Sequence, residues 1–298
     1  MRGTMTAGVA LLALAASAAS AAEFRLEKQF DLATGGSFTL RSEAGSVQVR
    51  GVEGRQARIV VTSSRDDFAE LFDTRFEQPG PGRLEVTIER KNHFGHWSWN
   101  GHTEVDVELP RDVAAEIHSS GGSVEIAQLT GNVKAGSSGG GVRISDVGGD
   151  VELSSSGGGV ELRDVHGNAK VDSSGGSLTL ARVAGDIDAS SSGGGVRIDD
   201  AGGAVVADSS GGPVHVVFAA GNGHGGDLQS SGGGVHVGID PAAHLDVDAS
   251  SSGGGVSCDL PITIRGRVSR NHLVGTLNGG GATLRLRSSG GGVTIEQR

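Results

Sequence analysis

The chain has no tyrosine, a single cysteine and few aromatic residues: eight phenylalanines and two tryptophans in 298 residues, of which only Phe218 lies beyond Trp99. Everything after residue 99 must therefore build its core from Val, Ile, Leu and Ala, which suits a body of thin cross-section. Cys258 has no partner for an internal disulfide, so stability rests on packing and hydrogen bonding. No apolar run reaches the roughly 20 residues of a membrane span. The apolar stretch Ala7–Ala16 follows Arg2 and precedes small residues through Ala22, the pattern of a secretory signal cleaved after Ala22. Positive charge is also in deficit. Lys and Arg number 25 against 35 Asp and Glu, a net charge of −10 at pH 7, which argues against nucleic acid or anionic lipid as partners.

Glycine is in excess, with 53 residues, and much of it recurs in copies of SSGGGVRI, Ser191–Ile198. The valine after the glycines, or its stand-in, falls at Val124, Val142, Val160, Leu178, Val196 and Val214, five steps of 18. Two steps of 21 lead to Val235 and Val256, and a last copy sits at Val293. A period in this range means each repeat is one supersecondary unit that buries its apolar face only by stacking on its neighbours. The repeat begins before residue 50, with Val47 and Val49 followed by Val52 and Gly54. It is interrupted by an excursion over 65–113 and runs regularly over 114–298, so the mature chain reads as one domain, 23–298.

Each 18-residue unit holds two short strands, such as Val142–Ile144 and Asp150–Leu153, with glycines at the corners. Two arrangements fit: a coil with residue i over residue i+18, and a meander alternating the two strand types. The charge order separates them. Outward residues of the first strand run Glu125, Arg143, Glu161; those of the second run Lys134, Glu152, Lys170, Asp188. A coil sets opposite charges side by side about 4.8 Å apart, whereas a meander brings like charges together twice. The expected fold is all-β: a single-stranded β-solenoid, or β-helix, with coils of about 18 residues and roughly ten coils in all. The excursion is expected to cap one end or pack on the side.

The segments VDVELPRDVAAEIHSSGGSVEI (Val105–Ile126), the SSGGGV copies and GTLNGGGATLRLRSSGGGVTIEQ (Gly275–Gln297) resemble a bacterial family of exported proteins of unknown function, candidate adhesins with β-strand repeats. The family is similar in style to the head domains of auto-transporter adhesins. The resemblance spans nearly the whole mature chain and implies a β-solenoid outside the cytoplasm. It implies no catalytic residues.

Several side-chain groups invite a site. Phe94, Trp97 and Trp99 with His93, His96 and His102 form the most unusual cluster, suited to sugar rings or a partner protein, to a structural hairpin tip, or to a metal with irregular ligand spacing. His215 and His236 both follow a repeat valine and belong on adjacent outward rungs, where a pair can hold a metal, sense pH or be solvated. The serine pairs from Ser119-Ser120 to Ser288-Ser289 form a hydroxyl row that either faces a polymer or satisfies its own backbone. GNGHGG (Gly221–Gly226) opens no helix and reads as an inserted loop, not a dinucleotide site. Asp199, Asp200, Asp227 and Asp248 are the acids left for general acid/base work. Cys258 falls at an inward position and reads as a buried structural thiol.

The expected function is an exported, non-enzymatic scaffold, adhesin-like, without cofactor, in the periplasm, on the outer surface or secreted, contacting a protein, a glycan or the cell envelope. The alternatives are a β-helical carbohydrate-active enzyme, marked by acids converging in a groove beside the excursion, and a periplasmic envelope-stress or assembly factor.

Overall fold

The computed structural model describes residues 24–91, 101–265 and 269–298. The segment read as a signal, residues 1–22, lies outside them. Among the described residues the chain is all-β and β-solenoid-like: two sheets, of 13 and 14 strands, enclose one apolar core, and one four-residue helix, Phe68–Leu71, stands among them.

In the repeat region the chain alternates between the sheets, and neighbours within each sheet are parallel. Strand Val142–Val147 lies between Val124–Leu129 and Val160–Val165, with Val142 beside both Val124 and Val160. Strand Val151–Ser155 lies between Val133–Ser137 and Ala169–Ser173 in the second sheet. Period-two alternation puts Val142 and Ile144 inside and Arg143 outside. Stacking like on like lets short β-branched residues fill the interior without aromatics.

Three corners close each coil. At the first, the leading serine of each SSGGG is buried, as at Ser155 and Ser173. Its hydroxyl works within the backbone: Gly176 N–H donates to Ser173 Oγ at 3.1 Å, and Ser155 Oγ–H donates to Gly158 O at 3.0 Å. The following glycines meet backbone directly. A Cβ on Gly158 would stand 2.4 Å from Gly141 N. The second corner uses left-handed residues, with φ between 55° and 65° at Gln128, Asp146, Asp164, Arg182 and Asp200. Asp tolerates this region, but Arg182 bears strain of about 1–2 kcal/mol, against which its guanidinium forms two bonds to Asp164 at 2.6 and 2.7 Å.

At the third corner Gly131, Gly149, Gly167 and Gly185 are each followed by Asn or Asp, and Gly203 by Ala204. Asp150 N–H donates to Asn132 Oδ1, Asn168 N–H to Asp150 Oδ1, Asp186 N–H to Asn168 Oδ1 and Ala204 N–H to Asp186 Oδ1, at 2.8–3.0 Å. The preceding residue has to be glycine, because a Cβ on Gly167 would lie 2.6 Å from Asp150 Oδ1.

Both ends depart from chain order. The excursion extends both sheets at the N-terminal end: Phe72–Gly80 and Arg83–Arg90 join the second sheet and Thr103–Pro110 the first. There Phe24, Phe68 and Phe72 pack with ring centroids 4.9 Å apart, and Phe30 stacks on Phe76 at 5.8 Å, covering the end of the core. At the other end the Val293 copy does not follow the Val256 copy in space. Strand Val293–Gln297 lies between Val235–Ile239 and Val256–Cys258, and Ala282–Ser288 lies between Gly226–Ser230 and Leu245–Ser251. Cys258 is thereby left on the edge strand and is half-buried, not fully inside as the repeat position suggested.

Candidate functional site

The aromatic and histidine loop, with His93, Phe94, His96, Trp97 and Trp99, lies outside the described residues. Its last member, His102, is exposed and anchored through its backbone: its N–H donates to Ser64 Oγ at 3.0 Å, and its carbonyl accepts from Ser64 N–H at 2.9 Å.

His215 and His236 occupy facing positions on adjacent strands of the first sheet, ring centroids 6.4 Å apart. Burial, then the Arg197 guanidinium, holds the His215 pKa below its ordinary value. Among the described residues no group of three His, Cys, Asp or Glu side chains is placed to hold a metal ion.

The four carboxylates singled out for acid/base work each have an arginine at hand. Arg197 donates to Asp199 at 2.8 and 3.0 Å, and Arg298 to Asp200 at 2.8 Å. Arg285 lies 3.5 Å from Asp227 and 3.9 Å from Asp248. In the GNGHGG loop Asn222 is buried and donates to the carbonyls of Ala201 and Gly203 at 2.6 and 2.9 Å, which ends the Asn/Asp ladder with a plug. Cys258 Sγ faces Leu260 O at 3.7 Å, and burial pushes its thiol up, away from the reactive thiolate.

Three acids, Asp106, Glu108 and Glu125, line a groove of about 560 Å³ beside the excursion, together with three arginines, Arg25, Arg50 and Arg58. Arg58 reaches Glu108 at 3.4 Å, and the neighbouring Glu104 accepts from Gln48 at 2.5 Å. Burial first, then the Glu104 carboxylate, pushes the Asp106 carboxyl up.

A larger groove, about 630 Å³, crosses the second sheet perpendicular to its strands, from Ser37 to Val206. It spans seven strands, roughly 30 Å at about 4.8 Å each. One wall is the Asn/Asp ladder. The other is the outward row Glu116, Lys134, Glu152, Lys170, Asp188 and Val206, each residue beside the next. Glu116 accepts from His118 at 3.0 Å, which lowers its pKa, and Lys134 donates to Glu152 at 2.9 Å. Among the described residues Lys170 and Asp188 have no ion pair. Val206 closes the row, half exposed at 51%. In the first sheet Arg143 donates to Glu161 at 2.9 Å, with Glu125 on its other side. Sequence reasoning listed the charged wall but missed the groove beside it, whose signal is the Asn or Asp, preceded by Gly, two residues before Lys134, Glu152, Lys170 and Asp188.

No curated protein matches the chain. Among solved structures it is similar to a candidate adhesin from Parabacteroides distasonis, 14% identical, covering 91% of this chain and 97% of that one with a TM-score of 0.50, a likeness of fold alone. A candidate adhesin from Bacteroides fragilis aligns at 10% identity over 92% of this chain and 97% of its own, with a TM-score of 0.43. A candidate cell adhesion protein from Clostridium sporogenes aligns at 14% identity over 92% and 100%, with a TM-score of 0.28. The sequence itself matches the Toastrack DUF4097 family over residues 39–296, most of its length, and the chain belongs to that family.

Proposed function

We propose that the chain is a non-enzymatic binding scaffold working outside the cytoplasm, adhesin-like in action, that holds an elongated partner along the flank of its stack. The groove across the second sheet carries this reading: it is long, open and bordered by polar side chains whose backbone is rigidly hydrogen-bonded. Adhesin as the name of the Parabacteroides distasonis structure supports it by likeness of fold. No helix among the described residues is long and apolar enough to cross a membrane. The test is saturable binding of the labelled full chain to intact cells and isolated envelopes. Absence of binding to either, with the protein folded, would overturn the scaffold reading.

One observation favours a second reading, a carbohydrate-active enzyme. Asp106 sits in a groove shared by acids and arginines, and burial pushes its carboxyl up, the condition a general acid needs. Turnover of a glycan that is lost in Asp106→Asn would establish it and displace the first.

A further inference from the structure

The two walls of the large groove alternate in phase with each other. On the ladder side each Oδ1 accepts a backbone N–H, which fixes which way the amide faces. The outward atom is therefore a donor, Nδ2, at Asn132 and Asn168, and an acceptor, Oδ2, at Asp150 and Asp186. None of these four atoms has a hydrogen-bond partner among the described residues. On the opposite wall, two residues further along the same strands, the coil of Asn132 presents Lys134 and the coil of Asp150 presents Glu152. The next coils repeat the pattern, with Asn168 and Lys170, then Asp186 and Asp188. The groove thus presents donor, acceptor, donor, acceptor on both sides at once. Its chemical repeat is two coils, about 10 Å.

Two constraints narrow the ligand. It is linear, because the same pattern recurs along a straight track, and its own repeat matches two coils, close to the length of one disaccharide in an extended glycan. It also carries both signs of charge: a chain of net charge −10 repels a polyanion, and the two cations of the track, Lys134 held by Glu152 and Lys170, are separated by acidic coils that reject one. We infer that the groove binds a linear zwitterionic polysaccharide in which an acidic sugar alternates with an amino sugar, carboxylates over the Asn/Lys coils and ammonium groups over the Asp/Glu and Asp/Asp coils. The Lys134–Glu152 pair is exposed on both sides and exchanges readily for ligand. This inference rests on the scaffold reading above and names its ligand class.

The probe is N-deacetylated hyaluronan oligosaccharide, in which glucuronate alternates with glucosamine. Binding to the full chain is measured by calorimetry beside native hyaluronan, chitosan oligosaccharide and neutral cello-oligosaccharide. The zwitterionic probe is expected to bind at least tenfold more tightly than any of the three, with affinity falling as salt rises. The exchange Lys134→Glu/Glu152→Lys/Lys170→Asp/Asp188→Lys keeps net charge and puts the wall out of phase with the ladder; it should abolish that preference. Lys170→Gln, at a residue with no ion pair to lose, should weaken binding severalfold with an unchanged melting temperature. Equal binding of all four probes, no binding of any, or zwitterion binding indifferent to both variants would overturn the inference. Cell or envelope binding that persisted in those cases would leave the scaffold reading standing.

Discussion

Two adjacent glycines in one SSGGG corner should respond to the same substitution with opposite sign. A Cβ on Gly158 would lie 2.4 Å from Gly141 N and 2.5 Å from Gly140 C, all backbone atoms of the coil beneath, while one on Gly159 would find Ser177 O at 3.5 Å, an ordinary contact. Neither glycine has a positive φ, so conformational strain does not enter and the difference is space alone. To admit the methyl of Gly158→Ala, the two coils must separate by about 1 Å. That stretches the flanking bonds Ser156 N–H to Ser137 O and Val142 N–H to Gly159 O, both 3.0 Å. Overpacking of this kind costs about 1–3 kcal/mol, and weakening two backbone bonds adds roughly 1 kcal/mol. A loss of about 3 kcal/mol lowers the melting temperature of a domain this size by on the order of 10 °C. Gly159→Ala instead restricts the unfolded chain and should stabilise by roughly 0.4–1 kcal/mol. Thermal melts of both variants give the comparison, and hydrogen exchange should place the lost protection of Gly158→Ala within two coils of the substitution. Equal melting temperatures for the two would refute the argument that these glycines are set by coil-to-coil approach.

Three further outcomes follow from individual contacts. Asn168→Ala removes the acceptor for Asp186 N–H and should cost about 1 kcal/mol, whereas Asn168→Asp keeps an acceptor but sets three carboxylates in line, so its melting temperature alone should rise with added salt. His215 has a folded pKa below its ordinary 6.5. The unfolded chain therefore binds more protons there, and stability should fall as pH drops below about 6.5, with His215→Asn removing that part of the slope in denaturant titrations at about pH 7.5 and 5.5. Lys28 lies on the inward face of the edge strand Phe24–Asp31, beside Leu26 and Phe30, a charge that opposes pairing with another edge. Lys28→Val should make the protein associate with rising concentration in light scattering, and a variant monodisperse throughout would dismiss that role.

The parallel, stacked character of the fold was legible from the repeat because nearest-neighbour packing forces period and contact to coincide: Arg143 lies between Glu125 and Glu161, and Lys134 beside Glu152. The groove was not legible because its ladder wall depends on which atom of each Asn or Asp is consumed by the next coil, and residue type alone does not tell an outward Oδ2 from an outward Nδ2. The same limit hid the inner serines. Ser155 and Ser156 are the same letter, yet one is buried and bonded to glycine backbone while the other is exposed. The left-handed corner passed unnoticed as well, since Arg182 occupies a place that Asp146 and Asp164 would have marked as a turn.

The shuffled C-terminal end has an electrostatic logic that a reading in chain order cannot contain. Had Leu245–Ser251 stacked directly on Gly226–Ser230, the register would have set Asp248 against Asp227, two like charges about 4.8 Å apart. Inserting Ala282–Ser288 between them puts Arg285 in the gap, within 3.5 Å of one carboxylate and 3.9 Å of the other, and Arg287 reaches Asp227 at 3.6 Å. The same insertion lets Val293–Gln297 run on to Arg298, whose guanidinium ties back to Asp200 and to Phe218 O. The last residues are thus held on both sides by coils that precede them in sequence. The coil of residues 282–297 is an interior one, and the strands exposed at this end of the stack come from residues 256–277. Two of them, His272–Leu277 and Thr263–Ile264, close the stack in the second sheet as antiparallel strands, just as Phe24–Asp31 and Phe72–Gly80 close the other end. A parallel stack presents each end as a ready template for one more coil. Antiparallel strands break that template, so the length of this body is set by its two ends while the repeats between them remain interchangeable in form.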